Sequence, residues 1–194
     1  MKYKTLFLVA ALAVAGCSAK GDTASEKRAA IRKIRTDTLS KLYVMHPEAR
    51  SDIQHAEGYA VFSSSSSKIF FFGFGSGYGV VKDARSGKDT YMKMAQGGAG
   101  VGLGVKQVDT VMVFHDRTSL DKFITQGYVV GADANAALRY DDKGADASAT
   151  EKGVAPDSAA LPEKVDVYEI TEKGLSVQAT LNGYKYWPDS ELNQ

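Results

Sequence analysis

Residue types that carry enzyme chemistry are present, but their spacing fits no familiar arrangement. Ser76 lies between Gly75 and Gly77, whereas the nucleophile elbow of a hydrolase has its glycines two positions to either side of the serine. Phe74 and Tyr78 occupy those positions here. A nucleophilic serine is therefore not predicted.

The histidines and carboxylates form no recognisable ligand set. His46, His55 and His115 are far apart in the sequence, and the pair His115-Asp116 is typical of a helix cap or a surface pair. The acidic stretch at residues 141–146 lacks EF-hand spacing, which favours a solvated loop over a calcium site. We expect no catalytic residue, no metal and no cofactor.

Two runs of alternating glycines are the most unusual feature of the sequence. The first glycine run, in FFFGFGSGYGVV, consists of Gly73, Gly75, Gly77 and Gly79, and the second, in GGAGVGLGVK, of Gly98, Gly100, Gly102 and Gly104. A dinucleotide-binding GxGxxG loop requires glycine where these runs have Val80 and Leu103, and the phosphate-binding GxxxxGK[ST] pattern is absent. A nucleotide is therefore not an expected partner.

The same glycines also have the GxxxG spacing of packed membrane helices. Half of each run is glycine, however, and each glycine costs about 1 kcal/mol relative to alanine in a helix. We therefore predict two strands with one bare face, which another body can approach closely. That body is either the protein's own helix or curved sheet, or an acyl chain or other hydrophobic partner.

The N-terminus has the composition of a lipoprotein signal peptide. MKYK is basic, TLFLVAALAVAG is apolar but shorter than the roughly 20 residues of a membrane span, and residues 14–17 (VAGC) are similar to a bacterial lipobox. We expect residues 1–16 to be removed, Cys17 to carry diacylglycerol and a fatty acyl chain such as palmitate, and residues 17–24 to form a lipidated tether. The predicted location is the bacterial cell envelope, and Ser18 favours the periplasmic face of the outer membrane. Because Cys17 is the only cysteine, no intrachain disulfide can form.

Positive charge is concentrated next to this predicted anchor. Residues 18–45 contain seven basic and three acidic side chains, although the formal net charge of the whole sequence is only +1. Thr23 to Glu26 has the form of a capping box and opens a segment without Gly or Pro as far as Met45, which predicts a helix. Its apolar stripe consists of Ala30, Ile31, Ile34, Thr38 and Leu42.

The remaining sequence predicts mostly strands. A two-residue period rich in β-branched and aromatic residues indicates strands over 59–62, 69–82, 90–95, 98–107, 110–115, 165–171 and 175–181. A turn is expected at 83–88, and Asn182-Gly183 predicts a hairpin turn before the last strand. The region 141–163 has no apolar period and predicts a mobile acidic loop.

Two shorter helices complete the prediction. One is expected from Pro47 to about His55, and the other from Asp116 to Gln126, with Thr118 as a possible cap. The fold class is therefore α+β: a mainly antiparallel, strongly twisted, glycine-rich sheet or partial barrel, with an N-terminal amphipathic helix and one or two further helices.

Five blocks of this sequence resemble, in order and spacing, those of the SYLF domain family. They are HAEGYAVF (55–62), FGFGSGYGVVKD (72–83), MAQGGAGVGLGVKQVDTVMVF (94–114), GADANAA (131–137) and GLSVQATLNG (174–183), within a likeness that covers residues 25–192. The family includes eukaryotic members that bind phosphoinositides and membranes through a basic N-terminal region, and some that bind actin. The serines at 63–67 and the region 141–163 depart from the family pattern.

For a bacterial lipoprotein, the resemblance implies association with anionic lipid head groups. The matching positions are Lys27, Arg28, Arg32, Lys33 and Arg35, although these charges could equally be the solvated face of a helix that packs on the sheet. We expect a non-enzymatic, membrane-anchored domain that binds anionic phospholipid or the membrane surface. The alternative is a structural lipoprotein that binds an envelope protein partner, and a nucleic acid partner is not expected.

Overall fold

The computed structural model describes residues 19–130, 164–171, 174–175 and 181–194, apart from the side chains of 68–72, 99–103, 130, 174–175 and 181–182. Several predicted features lie outside the described residues. They are the signal peptide, Cys17, the block at 131–137, the loop at 141–163 and the central residues 176–180 of one predicted strand.

Three helices form close to their predicted positions: α1 (Ala24–Met45), α2 (Ala49–His55) and α3 (Arg117–Gln126). The capping box of α1 is confirmed. The Glu26 N–H donates to the Thr23 hydroxyl at 3.2 Å, and the Thr23 N–H donates to Glu26 Oε2 at 3.0 Å. Two donors that would otherwise lack partners at the helix N-terminus are satisfied in this way.

Two predicted helix boundaries need correction. Helix α2 begins two residues later than predicted, because Pro47 and Glu48 form a turn before it. Helix α3 is capped by Asp116 and not by Thr118, since the Asp116 carboxylate accepts a 3.0 Å hydrogen bond from the Ser119 N–H. Aspartate is a better N-cap than threonine.

Six strands are described: β1 (Gly58–Asp83), β2 (Asp89–Phe114), β3 (Tyr128–Val130), β4 (Val165–Thr171), β5 (Gly174–Leu175) and β6 (Leu181–Pro188). Five separate predicted strands thus merge into β1 and β2, which form one long antiparallel hairpin. Gly58 lies opposite Phe114 at its open end, and Lys82 opposite Asp89 at its turn. The serines at 63–67 continue β1 as strand, because β2 supplies backbone partners throughout.

The edge of β2 that faces away from β1 pairs with two different strands, and these define two halves of the hairpin. Strand β4 pairs with residues 108–114 of β2 in the end half, and β6 pairs with residues 92–99 in the turn half. The β1–β2 register shifts between Phe70 and Phe72, where a bulge increases local twist. Strand β3 extends β6 and β5 extends β4. The predicted α+β class is confirmed as an antiparallel sheet curled into a half-barrel with an N-terminal helix.

The two faces of the sheet bury different helices. On the inner face, Phe62 and Phe114 pack with Phe123 of α3. On the outer face, Val61 and Val111 pack with Leu42 of α1 and with residues of α2. Adjacent residues such as Val61 and Phe62 thus point to opposite faces, as a strand requires. The core therefore lies in two layers separated by the sheet.

The predicted hairpin turn at Asn182-Gly183 is wrong. Both residues lie inside β6, where Asn182 pairs with Gly98 and Gly183 with Gly97. The edge of β2 offers a ladder of backbone partners on both sides of this dipeptide, so the chain stays extended. Tertiary pairing overrides the local turn preference here.

Candidate functional site

Helix α1 crosses both halves of the sheet on its outer face. Ile31 packs with Val80 and Tyr91 of the turn half, whereas Leu42 packs with Val61 and Val111 of the end half. Of the predicted apolar stripe, Ile31, Thr38 and Leu42 are buried and Ala30 and Ile34 are partly exposed. The helix is thus fixed along its length, and its off-stripe residues are candidates for contacts with a partner.

The first two predicted head-group residues bind the C-terminal turn, residues 189–194. Lys27 Nζ lies 2.7 Å from Glu191 Oε1. Arg28 donates from Nε to the backbone oxygen of Leu192 at 3.0 Å and from Nη2 to that of Gln194 at 3.3 Å. Both side chains therefore hold the C-terminal turn against α1.

Two more of the predicted residues contact β2. Arg32 donates to the Tyr91 hydroxyl at 2.9 Å. Arg35 lies 2.9 Å from the Asp89 carboxylate, and the two side chains are only 18% and 19% exposed. Lys82 also approaches Asp89, at 3.4 Å. These contacts link α1 to the turn end of the hairpin.

Lys33 is the fifth predicted residue, and it faces solvent. Its side chain is 75% exposed and forms an ion pair with Asp37 one helical turn away, at 2.5 Å. The structure therefore does not bring the five basic residues together on one open surface. Four of them contact the sheet or the C-terminal turn, and Lys33 lies on the solvent side of α1.

The C-terminal end of α1 presents apolar side chains to solvent that the sequence analysis did not single out. Val44 is 82% exposed and Met45 is 37% exposed. Spacings of three, eight and eleven residues place Lys33, Lys41 and Val44 on the same side of the helix. The available sequence signal was Val44, an apolar residue that lies off the apolar stripe, whereas Met45 continues the stripe three residues after Leu42.

A cleft of about 690 Å³ lies beside this helix end. It is bounded by α1, β2 and β4, and its lining residues are Ser40, Lys41, Val44, Met45, Gln107, Asp109, Ile170 and Thr171. Asp109 is tied to the protein, because its two carboxylate oxygens accept hydrogen bonds from Ser63 at 2.7 Å and from Thr38 at 3.3 Å. The Lys41 side chain is 61% exposed, and its Nζ lies 3.9 Å from Asp109 Oδ2.

The first glycine run packs against the protein itself. A Cβ added at Gly75 would lie 2.8 Å from Ser66 Cβ, and one added at Gly79 would lie 2.5 Å from Phe62 Cδ1. A Cβ at Gly77 would similarly overlap Ser64. Distances this short do not accommodate a side chain, so for these three glycines the neighbouring body is the first part of β1, which the curl of the sheet brings close.

The second glycine run differs where it is described. A Cβ added at Gly104 would meet no atom within 4 Å, and its φ of +146° is the reason a glycine is favoured there. Gly73 and Gly98 pair with each other across β1 and β2. The side-chain surroundings of Gly100 and Gly102 lie outside the described residues. The described glycines of the two runs therefore have different surroundings, although the sequence patterns of the runs are similar.

The carboxyl groups of Asp83 and Glu169 have altered pKa values, and neither residue lines the cleft. Arg117 donates to both oxygens of Asp83 at 2.9 and 3.0 Å, which holds the pKa of Asp83 well below its usual range and links the β1–β2 turn to α3. Burial raises the pKa of the Glu169 carboxyl, against the opposing effect of Lys106. His115 lies 2.7 Å from Asp166 on β4 and is exposed.

Two further findings bear on the class of site. Among the described residues, no group of three or more His, Cys, Asp or Glu side chains is arranged to hold a metal ion. None of the described helices combines the length and apolar character needed to cross a membrane.

The structure defines an α+β domain in which a long N-terminal helix crosses the outer face of a curled antiparallel sheet. Residues 95–194, just over half of the chain, match the Ysc84 family, described as Las17-binding protein actin regulator. The chain therefore belongs to the Ysc84 family, also known as the SYLF family, and the resemblance in the sequence is confirmed. This family is linked to lipid binding or actin regulation.

A bacterial protein is similar over most of the chain. Beta cell expansion factor A of Aeromonas veronii is 32% identical over 176 residues, which are 89% of this chain and 61% of that protein. The chain thus spans less than two thirds of the relative's length.

Proposed function

We propose that the protein is a non-enzymatic domain that binds an anionic membrane surface, with α1 lying parallel to the bilayer. The observation that carries this proposal is the solvent face of α1, where Lys33 and Lys41 precede the exposed side chains of Val44 and Met45. Helices that lie in a membrane interface combine cations, which attract anionic head groups, with apolar side chains that enter the acyl boundary.

The proposed lipid anchor at Cys17 supports this orientation. Ala19 is buried against Ile31 and Leu192, so only one residue separates Cys17 from the packed domain. Two residues extend over at most about 7 Å, and the 22 residues of α1 extend over about 33 Å. The acylated end of α1 and the Val44 end can therefore both reach a bilayer when the helix lies parallel to it. We place this bilayer in the bacterial envelope, at the periplasmic face of the outer membrane.

The solvent-facing cations of α1 favour a weak, salt-sensitive attraction to anionic lipid head groups. Lys27, Arg28, Arg32 and Arg35 are engaged by the C-terminal turn, Tyr91 and Asp89, so Lys33 and Lys41 are the residues we assign to the head groups. Each cation near an anionic surface contributes about 1 kcal/mol, and Asp37 offsets part of the contribution of Lys33. The acyl chains would provide the durable attachment, and these residues the orientation.

Vesicle co-sedimentation tests the proposal. A chain that begins at Ser18 lacks the anchor but keeps Ala19 and every other described residue. We expect it to sediment with phosphatidylglycerol vesicles at low salt and not with phosphatidylcholine vesicles, and we expect added salt to reduce the bound fraction.

Charge-reversal variants locate the contact. Lys33→Glu combined with Lys41→Glu should abolish sedimentation, whereas Lys122→Glu combined with Lys185→Glu, the same charge change on exposed lysines of α3 and β6, should leave it unchanged. If the unaltered chain does not bind anionic vesicles at low salt, the lipid proposal is wrong, and an envelope protein partner becomes the better explanation.

A further inference from the structure

The cleft beside the C-terminal end of α1 has the size and lining of a small-molecule site. Its volume of about 690 Å³ falls within the range of roughly 300–1,000 Å³ typical of ligand pockets. Val44 and Met45 line it from α1, and Ile170 lines it from β4. Resting on the proposed lipid-binding function, we propose that this cleft binds the hydrocarbon chain of one anionic single-chain amphiphile, a long-chain fatty acid or a lysophospholipid, with its head group at Lys41.

The apolar character of the site extends beyond the cleft. Val105 is 76% exposed and lies two residues from Gln107 on β2. The β1–β2 register is continuous through this part of the strand, so Val105 and Gln107 share a face. Val105 therefore lies on the same face of β2 as the cleft residue Gln107 and adds exposed apolar surface next to the lining. A flexible hydrocarbon chain fits such an open apolar surface better than a rigid polar ligand does.

The charges at the cleft favour an anionic head group. Asp109 is 14% exposed, and its oxygens already accept hydrogen bonds from Ser63 and Thr38. Lys41 is 61% exposed and 3.9 Å from Asp109, at the outer limit of an ion pair. The carboxylate is thus turned toward the protein and the ammonium toward solvent, where a carboxylate or phosphate head group can reach it.

An acyl chain on Cys17 is poorly placed to fill this cleft. Ala19 packs at the opposite end of α1, with Ile31, Val80 and Leu192. The helix between the two sites is about 33 Å long. The expected occupant is therefore a separate amphiphile and not the protein's own lipid.

Calorimetric titration in the absence of membranes tests this inference. The chain beginning at Ser18 is titrated with oleate, with lysophosphatidylglycerol and with the uncharged glyceride monoolein, each below its micellar concentration. We expect one molecule of either anionic amphiphile to bind per chain. Lys41→Glu should weaken the binding of both by tenfold or more and change the binding of monoolein by less than twofold.

Two valine variants locate the hydrocarbon chain. Val44→Asp should weaken all three amphiphiles by tenfold or more, whereas Val129→Asp, the same change at an exposed valine of β3 in the other half of the sheet, should have no effect. Both valines are exposed, so thermal unfolding should show that each variant folds normally.

The outcomes separate this inference from the proposed function. Sedimentation with anionic vesicles without binding of oleate or lysophosphatidylglycerol overturns the cleft assignment and leaves membrane binding intact. Binding of amphiphiles that Val44→Asp does not alter also overturns it, because the occupied site would lie elsewhere. Failure of both vesicle and amphiphile binding overturns the two proposals together.

Discussion

Along α1, the first half (24–35) directs most of its cations toward the protein, whereas the second half (36–45) directs Lys41 and two apolar side chains toward solvent. In the first half, Lys27 and Arg28 contact the C-terminal turn and Arg35 contacts Asp89. The difference follows from what lies beneath the helix. The C-terminal turn and the start of β2 provide carboxylates and backbone oxygens to the first half, and the cleft lies beside the second.

This contrast shows that a cluster of basic residues near an anchor is not by itself a membrane-binding surface. A cation contributes to lipid attraction only where its charge faces solvent, and a pair that is already formed must first be broken. The second half of α1 carries fewer cations but adds apolar side chains, which supply the non-electrostatic part of interfacial binding. The first half would then mainly position α1, with only Lys33 directed toward solvent, and the second half would contact the amphiphile.

The largest expected effect separates a buried residue of the first half from an exposed residue of the second. Ile31 lies on the buried face of α1 and is 1% exposed. Ile31→Ala should therefore lower the free energy of unfolding by about 2–5 kcal/mol through lost burial and a residual cavity. Val44→Ala should change it by less than about 0.5 kcal/mol. Urea unfolding with an unchanged m-value measures both. Equal losses would show that the two halves are packed alike.

The next effect concerns the cations of the first half. Arg35→Met leaves the largely buried Asp89 with Lys82 as a more distant partner, and we expect a loss of about 1–2 kcal/mol. Lys33→Met removes an exposed pair within the helix and should cost about 0–0.5 kcal/mol. A double-mutant cycle with Asp89→Asn should assign most of the Arg35 effect to this pair. A coupling energy near zero would mean that Arg35 does not attach α1 to the hairpin.

Much of the fold could be predicted from local sequence. The capping box at Thr23 and the change from a helical to a two-residue period near Gly58 depend on neighbouring residues, and both predictions agree with the structure. The turn at Asn182-Gly183 could not be judged locally, because its outcome depends on pairing with Gly97 and Gly98 far away in the sequence. The same long-range pairing joins the predicted short strands into β1 and β2.

The surroundings of the candidate site were less accessible to sequence analysis. The bare face of Gly75, Gly77 and Gly79 left two alternatives open, since nothing local says that the sheet curls enough to bring residues 61–66 against it. Likewise, the availability of Lys27 depends on Glu191, which is 164 residues away. Charge and period predict which side chains face outward from an element, but not what lies opposite them.

The smallest expected effect is a pH dependence confined to the first half of α1. Lys27 donates to Glu191 and lowers the pKa of that carboxyl below its ordinary value of 4.5. A carboxyl whose pKa is lowered on folding contributes stability above its unfolded pKa, and this contribution is lost as the pH falls through the folded value. Asp83, whose pKa Arg117 also lowers, is unaffected by a change at residue 191, so the difference between the chain and its Glu191→Gln variant isolates the C-terminal turn. Urea midpoints should therefore be higher for the unaltered chain near pH 6 and should converge with those of the variant as the pH falls well below 4.5. A constant difference across this range would show that Glu191 acts through packing and not through its charge on Lys27.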